Sequence, residues 1–170
     1  FGGRIQWPVP KGEVALSGHH RRVESSSVLP GDRGTYPENR IGIDGKWDVG
    51  IGFWLEGTLI KSDSPLLPLN YRRSWTVGAD TTLGVGNGLH LLAEHFLLRD
   101  SATAFGGGPG TKLSALSLNY PMSVLDALSG IFYYDWENDR FYRFLCWRRT
   151  TDRWSFHVIG FWNPEAFDIL

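Results

Sequence analysis

The chain has 170 residues, enough for one domain with a sizeable core. Its formal net charge of −1 excludes a general electrostatic attraction to nucleic acid or to an anionic surface. Aromatic residues make up 14% of the sequence and occur together with 21 Gly, a mixture that favours strands and tight turns over helices. Cys146 is the single cysteine, which excludes an internal disulfide and a multi-cysteine metal site.

The first strands alternate apolar and polar residues. In RIQWPV, Ile5 and Trp7 alternate with Arg4 and Gln6, and a PKG turn leads into EVALSGHHRRV. A period of two is the pattern of a β-strand with one apolar and one polar face. We therefore predict a hairpin with one face of each kind.

The alternation continues through RIGIDGK and WDVGIGFWLEGTLI, residues 40–60. Every second residue from Trp47 is apolar or glycine, and the intervening set contains Asp48 and Glu56. Asp-Gly is a strong hairpin signal. We therefore predict a tight turn at Asp44-Gly45-Lys46, followed by one long strand over residues 47–60.

The second half continues the pattern through WTVGADTTLG, LHLLAEHFLL, KLSALSLNY, ALSGIFYYDW, RFYRFLCWRR and WSFHVIGFW. The segment GLHLLAEHFLLRD is the one place where a helix competes, because Leu, Ala and Glu favour helix. Its position after GNG favours a hairpin. We predict an all-β chain of about ten strands. We expect residues 1–170 to form a single β-barrel domain or a segment of one.

The connections alternate between short and long. Those near Lys11, Gly45, Gly86 and Ser123 are short, whereas those around Gly31, Pro65 and Gly107 are long and polar or rich in Gly and Pro. Such alternation is typical of outer-membrane barrels, in which short turns face the periplasm.

Three features favour an apolar face turned toward lipid. Ionisable residues lie near the middle of polar faces, where a small soluble core would require a partner for each. Several strands reach the ~9–11 residues that cross a bilayer when tilted. Aromatic side chains also gather near predicted strand ends, as in interfacial girdles: Trp7, Trp47, Trp75, Tyr120, Trp136, Trp147, Trp154 and Trp162.

The hairpins RIGIDGKWDVGIGFWLEGTLI and WTVGADTTLGVGNGLHLLAEHFLL resemble those of bacterial outer-membrane β-barrel proteins of the porin type. This resemblance implies an antiparallel up-and-down transmembrane β-barrel in the bacterial outer membrane that passes small solutes. Such barrels often end on a strand with a terminal aromatic residue, whereas this chain ends NPEAFDIL. Strand counting also places both termini on the long-loop side, so we expect a missing strand at each end or a segment of a larger barrel.

The predicted functional surface is the polar face of the strands. Charged side chains on a lumen wall bias the passage of ions by Coulomb attraction. The alternative is that these groups only solvate the lumen or pair with an inward plug. The candidate pore-lining residues are Arg4, Arg40, Asp44, Asp48, Glu56, Asp80 and Glu94.

No catalytic or metal-binding constellation rises above chance, and we expect neither an enzyme nor a cofactor. His19 and His20 fall on opposite faces of a strand and cannot chelate one metal together. Ser155 and His157 share a face, which is a weak signal for a hydrolase pair. The last third of the chain is apolar on both faces, which indicates either local packing against a loop, plug or neighbouring subunit, or an aromatic track for sugars.

Three hypotheses for function follow. The first is an outer-membrane channel for small solutes, whose partners are membrane lipid and those solutes, with no nucleic acid; a homo-oligomer is left open. The second is a structural, assembly or polymer-export barrel of the same membrane. The third is a soluble β-barrel that binds an apolar ligand.

Overall fold

The computed structural model of the chain describes residues 1–26, 33–64 and 68–163. This part of the chain is all-β, as predicted. No helix within it could span a membrane. Its ten strands are β1 (Gly2–Val9), β2 (Gly12–Ser26), β3 (Arg33–Asp48), β4 (Gly52–Ser62), β5 (Tyr71–Leu83), β6 (Leu89–Ser101), β7 (Gly110–Pro121), β8 (Asp126–Asp135), β9 (Arg140–Thr150) and β10 (Ser155–Trp162).

The strands form one up-and-down antiparallel sheet in which spatial order follows chain order from β1 to β10. The segment GLHLLAEHFLLRD is strand β6, as the preceding GNG turn predicts. β1 and β10 are the two ends of the order, so the described strands do not close on themselves. The antiparallel sheet is therefore confirmed, whereas closure into a barrel stays a prediction.

Most of the predicted turns are confirmed. β1 and β2 are joined by Pro10-Lys11, and Lys11 has φ 60°. β5 and β6 are joined by residues 84–88, where Gly86 and Gly88 have φ 57° and 99°. Of the three predicted long connections, Gly31 and Pro65 lie outside the described residues, and Gly107 lies in the described link between β6 and β7.

The predicted turn at Gly45 is wrong, and with it the single strand over residues 47–60. Gly45 lies inside β3 and pairs with Val14 of β2. β3 continues to Asp48, and the chain reverses at residues 49–51, where Gly50 has φ 92°. Gly50 tolerates this left-handed conformation because it has no Cβ. Gly45 has another role, since a Cβ there would lie 2.5 Å from Cη2 of Trp47.

Aromatic residues cluster at strand ends, as predicted for most of them. Tyr120, one residue from the end of β7, belongs to this group. Of the tryptophans predicted near strand ends, Trp75 and Trp147 lie further inside β5 and β9. The other five lie within two residues of a strand end, namely Trp7, Trp47, Trp136, Trp154 and Trp162.

The described residues fall into two compact units. The first lies within Phe1–Val49, Trp54–Val77 and Phe96–Thr111. The second lies within Gly50–Phe53, Gly78–His95 and Lys112–Leu170.

In the first unit the apolar face is the exposed one. Cross-strand neighbours Ile5, Leu16 and Ile43 are 60%, 48% and 50% exposed. The adjacent row on the other face contains Ala15, which is 2% exposed, opposite Asp44. This arrangement inverts the usual rule that aliphatic side chains are buried and charged ones exposed.

The second unit buries little apolar surface as well. Tyr142 of β9 is 6% exposed, and it is the one other buried hydrophobic side chain among the described residues besides Ala15. Leu128 and Val158, both cross-strand neighbours of Trp147, are 41% and 62% exposed. The apolar stripe of β8–β10 is therefore open to its surroundings.

Candidate functional site

The polar face of β1–β3 carries an ordered network of charged side chains. Arg4 donates two hydrogen bonds to Asp44, at 2.6 and 2.7 Å to its two carboxylate oxygens. Gln6 donates to Glu13, whose carboxylate also lies 3.2 Å from Nζ of Lys46. The register explains these contacts, because rows two residues apart along β1, β2 and β3 share a face.

The same face continues along β2 and β3 into a cluster of two arginines and one glutamate. Arg21 and Glu38 are cross-strand partners, and Nε of Arg21 donates to Glu38 at 2.7 Å. The nearest guanidinium nitrogen of Arg40 lies 3.9 Å from the same carboxylate oxygen. The Glu38 side chain is only 13% exposed, so a largely shielded carboxylate is flanked by two cations.

A further ion pair joins the start of β5 to the end of β6. Arg72 donates to both carboxylate oxygens of Asp100, at 2.8 and 3.0 Å. Nearby on β4 and β5, the hydroxyls of Thr58 and Ser74 lie 2.7 Å apart. Two-pronged arginine–carboxylate bonds fix orientation as well as charge, so Arg72 and Asp100 hold one geometry.

Both clusters border one cavity of about 490 Å³, which lies within the first unit. Volumes of this size accommodate small organic ligands. Tyr36 and Asn70 also line it. Its charged lining residues are Arg21, Glu24, Glu38, Arg40, Arg72 and Asp100.

Asn70 has an unusual environment at this cavity. Its backbone oxygen accepts a hydrogen bond from the Ser62 amide at 2.9 Å, which fixes its position beside the end of β4. Its side-chain oxygen Oδ1 is buried, and no donor in the described part of the chain is within hydrogen-bond reach. A buried acceptor without a donor costs free energy of about 1–3 kcal/mol.

The structure gives three of the predicted pore-lining residues a charged neighbour on the polar face of β1–β3. Arg4 and Asp44 form an ion pair, and Arg40 lines the cavity. The remaining four lie outside this network and outside the cavity lining: Asp48 at the end of β3, Glu56 on β4, Asp80 on β5 and Glu94 on β6.

Several cavity residues were not predicted from the sequence. Arg21 lies two residues after His19, and Glu38 lies two before Arg40, so the same alternation contains them. Applying the alternation along the whole length of β2 and β3 would have identified Arg21 and Glu38. Arg72 and Asp100 are 28 residues apart in the chain, and only the strand order brings them together.

The aromatic residues of β8 and β9 contact one another on one face. Phe132 and Phe141 are stacked with centroids 6.2 Å apart, and Tyr134 meets Trp136 edge-on at 4.7 Å. The guanidinium of Arg143 lies 5.3 Å from the centroid of Phe141. Local packing of these rings therefore accounts for part of the apolar character of the last third.

His20 and His157 bind neighbouring polar side chains, and the histidines of the described residues are not grouped as metal ligands. His20 hydrogen bonds to Asn39, whereas His19 belongs to the opposite face, as predicted. Ser155 Oγ lies 3.1 Å from Nε2 of His157, whose Nδ1 lies 3.9 Å from Sγ of Cys146. Within the described ranges, no three His, Cys, Asp or Glu side chains are grouped to hold a metal ion.

No family model matches the chain, and neither a curated protein nor a solved structure matches it. Inference of function therefore depends on the residues and geometry of this chain.

Proposed function

We propose that this chain forms part of an outer-membrane β-barrel whose apolar face contacts lipid and whose polar face lines an aqueous path for small solutes. The observation that carries this proposal is the inverted burial of the first unit. The row Ile5, Leu16 and Ile43 is about half exposed, while the charged row beside it is linked by ion pairs. Lipid makes the exposed row favourable, since apolar surface gains about 25 cal/mol per Å² on leaving water.

The polar face suits an aqueous lumen. Its charges occur as pairs of opposite sign, Arg4 with Asp44 and Arg21 with Glu38, rather than as one block of like charge. Water can solvate the exposed parts of these side chains, which would be costly in contact with hydrocarbon. Alternating apolar and polar faces are what a membrane strand requires.

A bilayer would require both ends of the sheet to be paired. Backbone donors and acceptors at an open edge cannot be satisfied by hydrocarbon. β1 and β10 are therefore the strands at which the proposed barrel closes, by pairing with strands of this chain or of another copy.

The soluble alternative receives less support. A soluble barrel that binds an apolar ligand would hide its continuous apolar rows, and here those rows are exposed. An assembly or polymer-export barrel would share the same faces, so conductance is the property that separates it from the channel.

Planar-bilayer recording of the full chain tests the proposal. We expect discrete conductance steps, and a reversal potential that shifts toward anion selectivity in the double variant Glu56→Gln and Asp80→Asn. The shift should shrink at 1 M salt, where the Debye length is about 3 Å. Protein shown to be folded in the bilayer but without conductance would contradict the channel and leave the assembly barrel.

A further inference from the structure

We propose that Arg73 of β5 and Arg99 of β6 together bind the phosphate of an anionic lipid headgroup. The two side chains lie at one end of the apolar face of the first unit, beside the link between β6 and β7. The inference rests on the proposed function for one point, that this face contacts lipid. Binding of the lipid depends on the two arginines and can be measured separately.

The register of β5 and β6 places the two arginines opposite each other. Both strands have 13 residues, and they are antiparallel neighbours in the sheet. Side-chain hydrogen bonds near the two ends fit one register, in which the first residue of β5 lies opposite the last residue of β6: Arg72 with Asp100, and Thr82 with His90. Arg73 and Arg99 are therefore cross-strand neighbours on the next row.

This row lies on the apolar face of the sheet. Arg73 precedes Trp75 by two residues, so both side chains share a face. Trp75 covers Gly57 of β4, whereas the adjacent Thr58 lies beside Gly42 of the polar face. Gly57 and Trp75 therefore belong to the apolar face, and Arg73 lies at its end, next to the long connection.

The charges of the two arginines are not neutralised. Arg73 donates to the Gly106 carbonyl at 2.9 Å, and Arg99 donates to the Gly108 carbonyl at 3.2 Å. Within the described residues, neither guanidinium is ion-paired with a carboxylate. A guanidinium has five N–H donors, so most of them remain available to a ligand. Like charges directly opposite each other destabilise a sheet, and an anion bound by both arginines would offset that cost.

The carboxylates at this end of the first unit do not cancel the two charges. On the apolar face, Asp63 lies 2.9 Å from Nζ of Lys61. Glu24 of β2 is separated from β5 by β3 and β4, which is about 14 Å at the usual spacing of strands. Two carboxylates of the polar face are already paired: Glu38 with Arg21, and Asp100 with Arg72.

The link between β6 and β7 adds an apolar contact. Phe105 is 82% exposed, and it directly precedes Gly106, whose carbonyl Arg73 holds. An exposed apolar ring beside two cations suits a lipid, which presents hydrocarbon and phosphate together. Free phosphate would use the arginines and leave Phe105 in water. Arginine binds phosphate through paired hydrogen bonds, which favours an anionic phosphate over a neutral headgroup.

Native mass spectrometry of the full chain in non-ionic detergent tests the inference. Phosphatidic acid and phosphatidylcholine with the same acyl chains are titrated separately, and the lipid-bound fraction is measured. We expect phosphatidic acid to bind at least about tenfold more tightly, because its phosphate is not offset by a choline cation. Equal binding of the two lipids would overturn the site.

Inorganic phosphate, added as a competitor at the concentration of phosphatidic acid, separates the two sources of the anion. We expect it to displace little of the lipid, because it makes no contact with Phe105. Displacement of half or more of the bound phosphatidic acid would show that the site takes free phosphate, and would overturn the assignment to a lipid.

A charge-matched pair of double variants localises the binding. Arg73→Gln with Arg99→Gln should lower the affinity for phosphatidic acid by about tenfold or more. Arg148→Gln with Arg153→Gln removes the same charge from exposed positions of the second unit and should bind as the parent does. Equal losses in both would show that net charge alone attracts the lipid, and would overturn the site.

A third variant addresses the apolar contact and the risk of misfolding. Phe105→Ser changes an exposed side chain, so the fold should be unaffected while phosphatidic acid binds more weakly. Circular dichroism confirms that each variant is folded. If the double variant at Arg73 and Arg99 does not fold, Arg99→Gln alone replaces it, because the hydrogen bond of Arg99 is exposed. Unchanged affinity in Arg99→Gln and in Phe105→Ser would overturn the site.

The outcome is distinguishable from that of the proposed function. If spin labels show that the apolar row at Leu16 faces lipid but phosphatidic acid is not preferred, the phosphate site is wrong and the orientation stands. If phosphatidic acid binding depends on Arg73 and Arg99 while Leu16 faces water, the site stands and the lipid-facing orientation is contradicted.

Discussion

Gly57 of β4 shows how single residues shape the apolar face. It is buried beneath the indole of Trp75, and a Cβ at this position would lie 2.5–2.8 Å from three ring atoms. Gly45 is covered by Trp47 of its own strand in a similar way. These two glycines therefore seat large rings against the sheet, rather than allowing a turn.

Replacing Gly57 by alanine should destabilise the protein. Ordinary Cβ contacts are longer than those that Trp75 would make, so the ring must move, at a cost of about 1–3 kcal/mol. Urea unfolding in detergent, followed by tryptophan fluorescence, measures the change.

Gly18→Ala is the matched control. Gly18 is an exposed strand glycine of β2, and a Cβ there meets no atom within 4 Å. We expect little change or a slight stabilisation, because alanine costs less conformational entropy than glycine. Equal free energies of unfolding for both variants would show that Trp75 does not depend on Gly57.

The sequence predicts some residue contacts and not others. Alternation alone places Arg4 on one face of β1, and the same rule places Asp44 on a polar face of β3. Their contact depends on β2 lying between the two strands and on its register with each. The sequence does not predict that Oδ1 of Asn70 is buried without a hydrogen-bond donor. Asn70 lies in the connection between β4 and β5, and the alternation of apolar and polar residues does not determine the path of a connection.

At the scale of elements, the β3–β4 hairpin shows where local signals mislead. Asp44-Gly45 has the composition of a tight turn, but both residues pair with β2 in register, opposite Ala15 and Val14. The β2–β3 ladder continues past this dipeptide, with Glu13 opposite Lys46 and Gly12 opposite Trp47. The chain then turns at Gly50, a position that periodicity assigns to the middle of a strand. Strand number and type were predictable because they depend on the period, whereas the turn depended on tertiary pairing.

Insertion of a short epitope tag distinguishes the two turn positions. A tag after Gly50 should leave folding and stability close to those of the parent, because residues 49–51 make a bend outside the strands. A tag after Gly45 should prevent folding, because it interrupts the β2–β3 ladder. Heat-unfolding midpoints in detergent measure both. If the protein folds with the tag after Gly45 but not with the tag after Gly50, the turn at residues 49–51 is wrong.

At the scale of the whole molecule, the sheet of the described residues ends at β1 and β10, and these residues bury little apolar surface. β10 is apolar on both faces, and Phe156, Val158 and Phe161 are each more than half exposed. An exposed apolar edge strand is a site for pairing with another strand. In the proposed membrane setting, such pairing would satisfy the outer backbone groups of β10.

Amide hydrogen exchange in detergent micelles tests this pairing. We expect the amides of β10 to exchange about as slowly as those of β9, because a paired edge protects both rows of backbone groups. β9, which has a neighbour on each side, serves as the internal control. Alternate amides of β10 exchanging orders of magnitude faster than those of β9 would show that the edge is open.

Accessibility at Leu16 and Ser17 tests the lipid-facing orientation most directly. These adjacent residues of β2 point to opposite faces, Leu16 toward the exposed apolar row and Ser17 toward the row of Arg4. Single spin labels in a Cys146→Ser background would be compared for collision with oxygen, which concentrates in lipid, and with a water-soluble nickel chelate. If the apolar row faces lipid, oxygen accessibility is high and nickel accessibility low at position 16, and the reverse holds at position 17. High nickel accessibility at position 16 in reconstituted protein would contradict a lipid-facing apolar row.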